Sequence, residues 1–231
     1  VPLVDYRLEG QIALVRLEDG KANALSAAMI AEIDAALTQA AGEAKAIVLA
    51  GRPDRFSAGF DLKVMMSSFE AARDLTRKGA ELLMRLYASP LPVVAACTGH
   101  ALAAGALLLL ASDVRVGAAG TYRIGLNEVA IGIPVPVFAM ELARDRLTAA
   151  ELGRATLGAQ VYAPEEAVRA GFLDEAVPGA DVIARAAAEA ERLGALSRRA
   201  FEGTKRRLRG RTIERILGTL DEDMAAMSFG G

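Results

Sequence analysis

The sequence predicts an α/β protein with mainly parallel strand pairing, its core spanning about residues 1–178 and a helical region following over 179–231. Three observations predict it. Short apolar runs that read as strands alternate with longer segments of helical periodicity. Strand-like runs become scarce after about residue 148. The tail over 180–228 is built almost wholly from helix formers, and no linker rich in Pro, Gly and Ser precedes it.

Taken in order, residues 3–8 and 11–17 flank Glu9-Gly10 and read as an opening hairpin. Asp19-Gly20 breaks that pattern. Ser26 is an N-cap candidate for a helix over about 27–41, on which Ile30, Ile33, Leu37 and Ala41 share a face. Ala46–Ala50 is a short buried strand, ended by Gly51-Arg52-Pro53-Asp54. A helix over about 68–88 leads through Ser89-Pro90-Leu91-Pro92 to the strand Val93–Cys97. Beyond Gly99, the run 101–111 reads as a helix apolar on all sides, which places it at the centre of the molecule. Asp113–Val116 and Phe172–Val177 are strand-like, and the helical tail is expected to break around Gly210.

Composition excludes several classes. Hydrophobic residues make up 53 % of the 231, with a net charge of −2 and 48 alanines, too apolar and too near neutrality for a disordered chain. One cysteine, Cys97, excludes a fold built on internal disulfides, and one histidine, His100, argues against a Cys/His metal cage, so no metal is expected. Neither a basic leader nor a run of the ~20 apolar residues needed to cross a bilayer is present, so a soluble, cytoplasmic protein without a membrane partner is the expectation. No Gly-x-Gly-x-x-Gly or phosphate-loop pattern occurs. The basic cluster from Arg198 to Arg211 lacks the interleaved aromatics of a nucleic-acid surface; a solvated helix face or phosphate contacts to a small ligand fit it better, and no nucleic-acid partner is expected.

Three places can carry chemistry. Phe56–Lys63 and Gly99–Gly105 both join small residues to the start of a helix. Small residues admit a ligand to the backbone, and the first helical turn offers N–H groups with no internal acceptor. Tight packing alone also accounts for either junction. The third place is Glu128, the one ionisable side chain between Ile124 and Met140; it is either an exposed loop residue or a carboxylate in an apolar pocket, tuned as a general base. Asn127 could position it or simply turn the chain. His100 has no Ser or Asp partner at a triad spacing, and Cys97 reads as a small apolar residue.

Lys21–Ser26, Phe56–Leu62, Thr98–Gly105 and Gly125–Pro134 together resemble the crotonase (enoyl-CoA hydratase/isomerase) superfamily, in order and at familiar spacings. The resemblance implies a spiral of ββα turns, with C-terminal helices that assemble trimers or hexamers. It implies a coenzyme A thioester as substrate rather than a separate cofactor, lying near Ala22, Ala24, Ala58, Asp61 and Leu62. The backbone N–H groups of Phe60 and Ala104 would hold the thioester oxygen as it becomes an enolate. Hydratases of the family use two glutamates, and the resemblance aligns these with Leu107 and Glu128. Leucine cannot hold or deprotonate a water, so the pattern looks closer to single-glutamate Δ3,Δ2-enoyl-CoA isomerases, in which one carboxylate moves a proton from C2 to C4. An altered hydratase and a non-catalytic acyl-CoA binder are the alternatives. In family hydratases a base on a neighbouring subunit's last helix meets the CoA phosphate; Leu220–Phe229 carries none, which leaves Lys205 or a nearby arginine.

Overall fold

A computed structural model describes residues 2–226 of the chain. The hairpin forms as expected: β1 (Val4–Glu9) and β2 (Ile12–Leu17) pair antiparallel. α1 (Ala27–Glu43) is capped by Ser26, whose hydroxyl accepts the Met29 N–H at 3.2 Å. Its buried stripe runs through Ile30, Ile33 and Leu37 but ends at Ala40, and Ala41 faces solvent.

β3 (Ala46–Ala50) and β5 (Val93–Cys97) are buried at every position, the unbroken apolar run that a parallel strand covered on both faces requires. With β7 (Val114–Ala118) and β9 (Glu175–Val177) they complete a six-stranded sheet in the order β1-β2-β3-β5-β7-β9, parallel after the hairpin. Alternate residues serve its two faces. Val48, Val94, Ala96 and Val116 meet Val182, Ala186 and Ala190 of α8 (Val182–Gly194). Ile47, Leu49, Val93 and Ala95 belong to the larger core, closed by α1, α3 (Phe69–Tyr87) and α4 (Ala104–Ala111).

A second sheet is the main departure from expectation. β4 (Asp54–Ser57), β6 (Gly99–Leu102) and β8 (Ile124–Gly125) pair in parallel in the order β4-β6-β8. The helix expected over 101–111 therefore starts only at Ala104. After β3, β5 and β7 the chain steps each time onto this small sheet and returns through helices. These are α2 (Leu62–Met65) with α3, then α4, then α5 (Val137–Arg146), α6 (Ala149–Thr156) and α7 (Pro164–Ala170). That path is the expected ββα spiral. Of Phe172–Val177 only the last three residues are strand; Phe172 and Leu173 are buried in the turn after α7, their N–H groups on the Ala167 carbonyl.

α9 (Arg198–Ala226) runs unbroken through Gly210, against expectation. A Cβ at Gly203, Gly210 or Gly218 would meet nothing within 4 Å, so these glycines mark no bend or close approach. Ile216, Leu220 and Met224 bury one side of the helix in the larger core. The rest of the expected tail, 227–231, lies outside the described residues. Among the described residues no helix is long and apolar enough to cross a membrane.

Candidate active site

The three parallel strands of the small sheet end at Ser57, Leu102 and Gly125, and each chemically interesting residue follows within three positions: Phe60, Ala104 and Glu128. The carboxyl ends of parallel strands, where loops leave the sheet, are where ligands gather in α/β folds.

Phe60 lies in a loop held by Asn23. This fully buried side chain donates from Nδ2 to the carbonyls of Leu17 (3.0 Å), Arg55 (3.2 Å) and Phe56 (3.1 Å), while the Ser57 hydroxyl donates to the Asn23 carbonyl at 2.8 Å. Ala22–Leu25 runs beside 58–61: the Ala58 N–H donates to Ala22 (3.0 Å), the Leu25 N–H to Gly59 (2.8 Å) and the Asp61 N–H to Leu25 (3.3 Å). In a parallel bridge between Leu25 and Phe60 these bonds flank Phe60 and turn its own N–H away from Leu25. That N–H has no acceptor among the described residues. The Phe60 ring packs where α3 has no side chain: a Cβ on Gly79 would lie 2.2 Å from its Cε1.

Ala104 opens α4, so its N–H is one of those a helix leaves unpaired. It is presented by a strained turn. Ala103 has φ +50° and ψ −125°, a conformation that costs a side-chain-bearing residue about 1–3 kcal/mol, and its N–H is fixed on the Gly125 carbonyl at 3.0 Å. The two junctions meet at Gly59, whose φ is +91°. A Cβ there would lie 2.9 Å from the Leu102 carbonyl oxygen and 3.2 Å from the Ala104 nitrogen. Glycine at 59 thus lets the Phe60 loop close on the start of α4.

Glu128 is 8 % exposed and begins a single turn of 3-10 helix, Val129–Ile131; its carbonyl accepts from the N–H groups of Ile131 and Ile133 at 3.0 Å each. Its Oε2 is buried without a hydrogen-bond partner, and burial pushes the carboxyl up to about 7. The Asn127 Oδ1 is likewise buried without a partner.

Of the other expected site residues, Ala22 and Ala24 are half-buried and Ala58 is exposed beside them. Asp61 caps α2, its carboxylate accepting the Lys63 N–H at 2.9 Å, and Leu62 is exposed next to it. Leu107, one turn beyond Ala104, is sealed in the core. Lys205 is not free for a phosphate. It is buried, with Nζ 2.7 Å from Asp113 and bonded to the carbonyls of Ser89 (3.0 Å) and Leu91 (3.4 Å). Arg209 is buried on the same carboxylate at 3.0 Å, so it is not free for a phosphate either. His100 is structural, its Nδ1 accepting the Arg123 N–H at 3.0 Å and its ring standing edge-on to Tyr122. Burial pushes the Cys97 thiol up to about 12, which leaves it inert at neutral pH. The sequence assigns Asn23 no role of its own; the structure holds it at φ +51°, in the left-handed region that asparagine tolerates.

The fold recurs in other proteins. A protein from Rhodobacter capsulatus named as a probable enoyl-CoA hydratase is 38 % identical over 77 % of this chain and 70 % of its own. The crystal structure of an enoyl-CoA hydratase/isomerase family protein from Pseudomonas syringae superposes with a TM-score of 0.95 at 39 % identity, covering 98 % of both chains. Human mitochondrial Δ3,Δ2-enoyl-CoA isomerase superposes with a TM-score of 0.92 at 28 % identity, covering 96 % of this chain and 89 % of its own. The sequence profile of the enoyl-CoA hydratase/isomerase family matches residues 7–223, and this chain belongs to that family.

Proposed function

We propose that the chain is an enoyl-CoA isomerase that moves the double bond of a 3-enoyl-CoA to C2 with a single carboxylate. The observation that carries this reading is Glu128: a buried carboxyl with an unpartnered oxygen, on a loop where no other side chain ionises. Leu107, where the family's hydratases carry their other glutamate, has no atom that can hold or deprotonate a water.

The thioester lies along Ala22, Ala24, Ala58, Asp61 and Leu62, with its carbonyl oxygen between the Phe60 and Ala104 N–H groups. Deprotonated Glu128 takes the proton from C2. The electron pair delocalises through the double bond and the carbonyl, and the negative charge collects on the thioester oxygen. Each N–H donor there is worth about 2.7–4 kcal/mol to the transition state. The carboxylic acid formed at Glu128 then returns the proton at C4, which gives the 2-enoyl-CoA and restores the base. A carboxyl titrating near neutrality suits both halves of the cycle, since it can accept and then release one proton. Apolar Leu107 keeps water from the enolate.

Glu128→Gln preserves shape and removes the base. Isomerisation of a 3-enoyl-CoA is expected to fall by about 10²–10⁴-fold while the thioester still binds. Turnover equal to that of the unaltered chain contradicts the assignment.

A further inference from the structure

We propose that Asp223, near the end of α9, is a positioning residue for Glu128: its carboxylate caps α5 and so fixes the loop that carries the base. The proposal rests on the reading of Glu128 given above.

α5 begins without a cap of its own. Its N-cap residue is Pro136, which has no side-chain acceptor, so the first N–H groups of the helix need an oxygen from elsewhere. Asp223 supplies it from 86 residues away: Oδ2 accepts the Val137 N–H at 2.9 Å and the Phe138 N–H at 3.4 Å. A carboxylate there also meets the positive end of the helix dipole. The register between the two helices is set along their length. Arg215 of α9 reaches Glu141 at 3.0 Å, and the Thr212 hydroxyl donates to Asp145 at 2.7 Å, so 223, 215 and 212 meet 137, 141 and 145 in antiparallel order. α9 is itself held at this end by buried Leu220 and Met224, and by Asp221 on Arg77 of α3 at 2.7 Å.

The link from α5 back to Glu128 is short and stiff. The Ile131 and Ile133 N–H groups tie the loop to the Glu128 carbonyl. Pro134 and Pro136 fix two of the remaining φ angles before Val137. Phe138 is buried, so α5 cannot slide without disturbing the core. A shift at the α5 N-terminus therefore passes to Glu128, not to the thioester-binding loop at 22–25 and 58–62.

The test uses Asp223→Ala and Asp223→Asn in the full chain. For Asp223→Ala, kcat for isomerisation is expected to fall about tenfold with KM for the acyl-CoA changed by less than about twofold. Asp223→Asn keeps an acceptor for the Val137 N–H and is expected to restore most of the loss. A second readout needs no turnover. With the glutamates ¹³C-labelled at the carboxyl, the Glu128 resonance in Asp223→Ala is expected to titrate below its value in the unaltered chain, because the loosened loop admits water; in Asp223→Asn it stays. Should Asp223→Ala fail to fold, Asp223→Glu, which moves the same charge by one methylene, is expected to show both effects. An unchanged Glu128 titration in a folded Ala or Glu variant overturns the proposal. A shifted titration with full turnover upholds the positional link and overturns the role of Glu128 as base.

Discussion

Glu128 keeps its proton to about pH 7 because its carboxyl is taken out of water and nothing replaces the lost hydration on Oε2. Two outcomes follow from that one cause. In the proposed role as base Glu128 must be ionised, so kcat/KM for isomerisation is expected to rise with pH and level off above about 7, as read from a pH–rate profile; a limb in the ordinary carboxylate range near 4.5 would contradict it. The linkage to stability runs in the opposite sense. A carboxyl whose folded pKa is raised binds a proton in the native state that the unfolded chain has already released, so its contribution is present at acid pH and lost as pH climbs from about 4.5 to about 7. Glu128→Gln is therefore expected to be more stable to urea than the unaltered chain at pH 8, by on the order of 3 kcal/mol, and to converge with it near pH 4. Glu128 was legible in the sequence because it is the one ionisable side chain in an apolar run. Asn23 and Asp223 were not, because their work is defined by partners distant in the chain: Arg55 and Phe56 for the first, Val137 for the second.

The junctions at 58–60 and 103–105 work as a pair, and their glycines differ in kind from those of the last helix. A Cβ on Gly105 would stand 2.2 Å from the Ser57 carbonyl oxygen, which is backbone and cannot rotate aside. Gly105→Ala is expected to push the start of α4 off β4, cost about 1–3 kcal/mol in denaturant unfolding, and lower turnover by moving the Ala104 N–H. Gly218→Ala, in open space on α9, is expected to stabilise by about 0.5–1 kcal/mol and leave turnover unchanged. The strands that set up these junctions escaped the sequence for a plain reason. β4, β6 and β8 are two to four residues long, too short for a period of two to register, and β6 leads directly into an apolar helix that masks it. The longer buried strands β3 and β5, and the capped helix α1, were legible because each carries its full signal locally.

Over the whole molecule, α9 is joined to the core by buried Ile216, Leu220 and Met224 toward its end and by a buried charge cluster nearer its start. Asp113 receives Lys205 at 2.7 Å and Arg209 at 3.0 Å, and also accepts the Val93 N–H at 2.8 Å at the start of a central strand. Arg209 further stacks over the Tyr87 ring at 4.2 Å. Burial pushes Lys205 down to about 8 even against the pull of that carboxylate. Asp113→Ala leaves two buried cations unpaired and is expected to cost about 3–5 kcal/mol in urea unfolding; Lys205→Met, which leaves Asp113 with Arg209, is expected to cost less. An equal loss in both variants would show that the cluster does not share its charge in this way. A lysine and an arginine in a run of helix formers read as solvated in sequence, and only the partner nearly a hundred residues earlier shows otherwise. The same long reach places Asp223 at the start of α5, just beyond the loop that carries Glu128.

The most direct test of one-carboxylate chemistry is to follow a 3-enoyl-CoA and crotonyl-CoA side by side in deuterated water, scoring double-bond migration, water addition and deuterium at C2 and C4. Single-glutamate isomerisation predicts migration of the 3-enoyl double bond with exchange at the carbons that Glu128 serves, no addition of water to crotonyl-CoA at enzymatic rates, and loss of both migration and exchange in Glu128→Gln. Rapid hydration of crotonyl-CoA would contradict it.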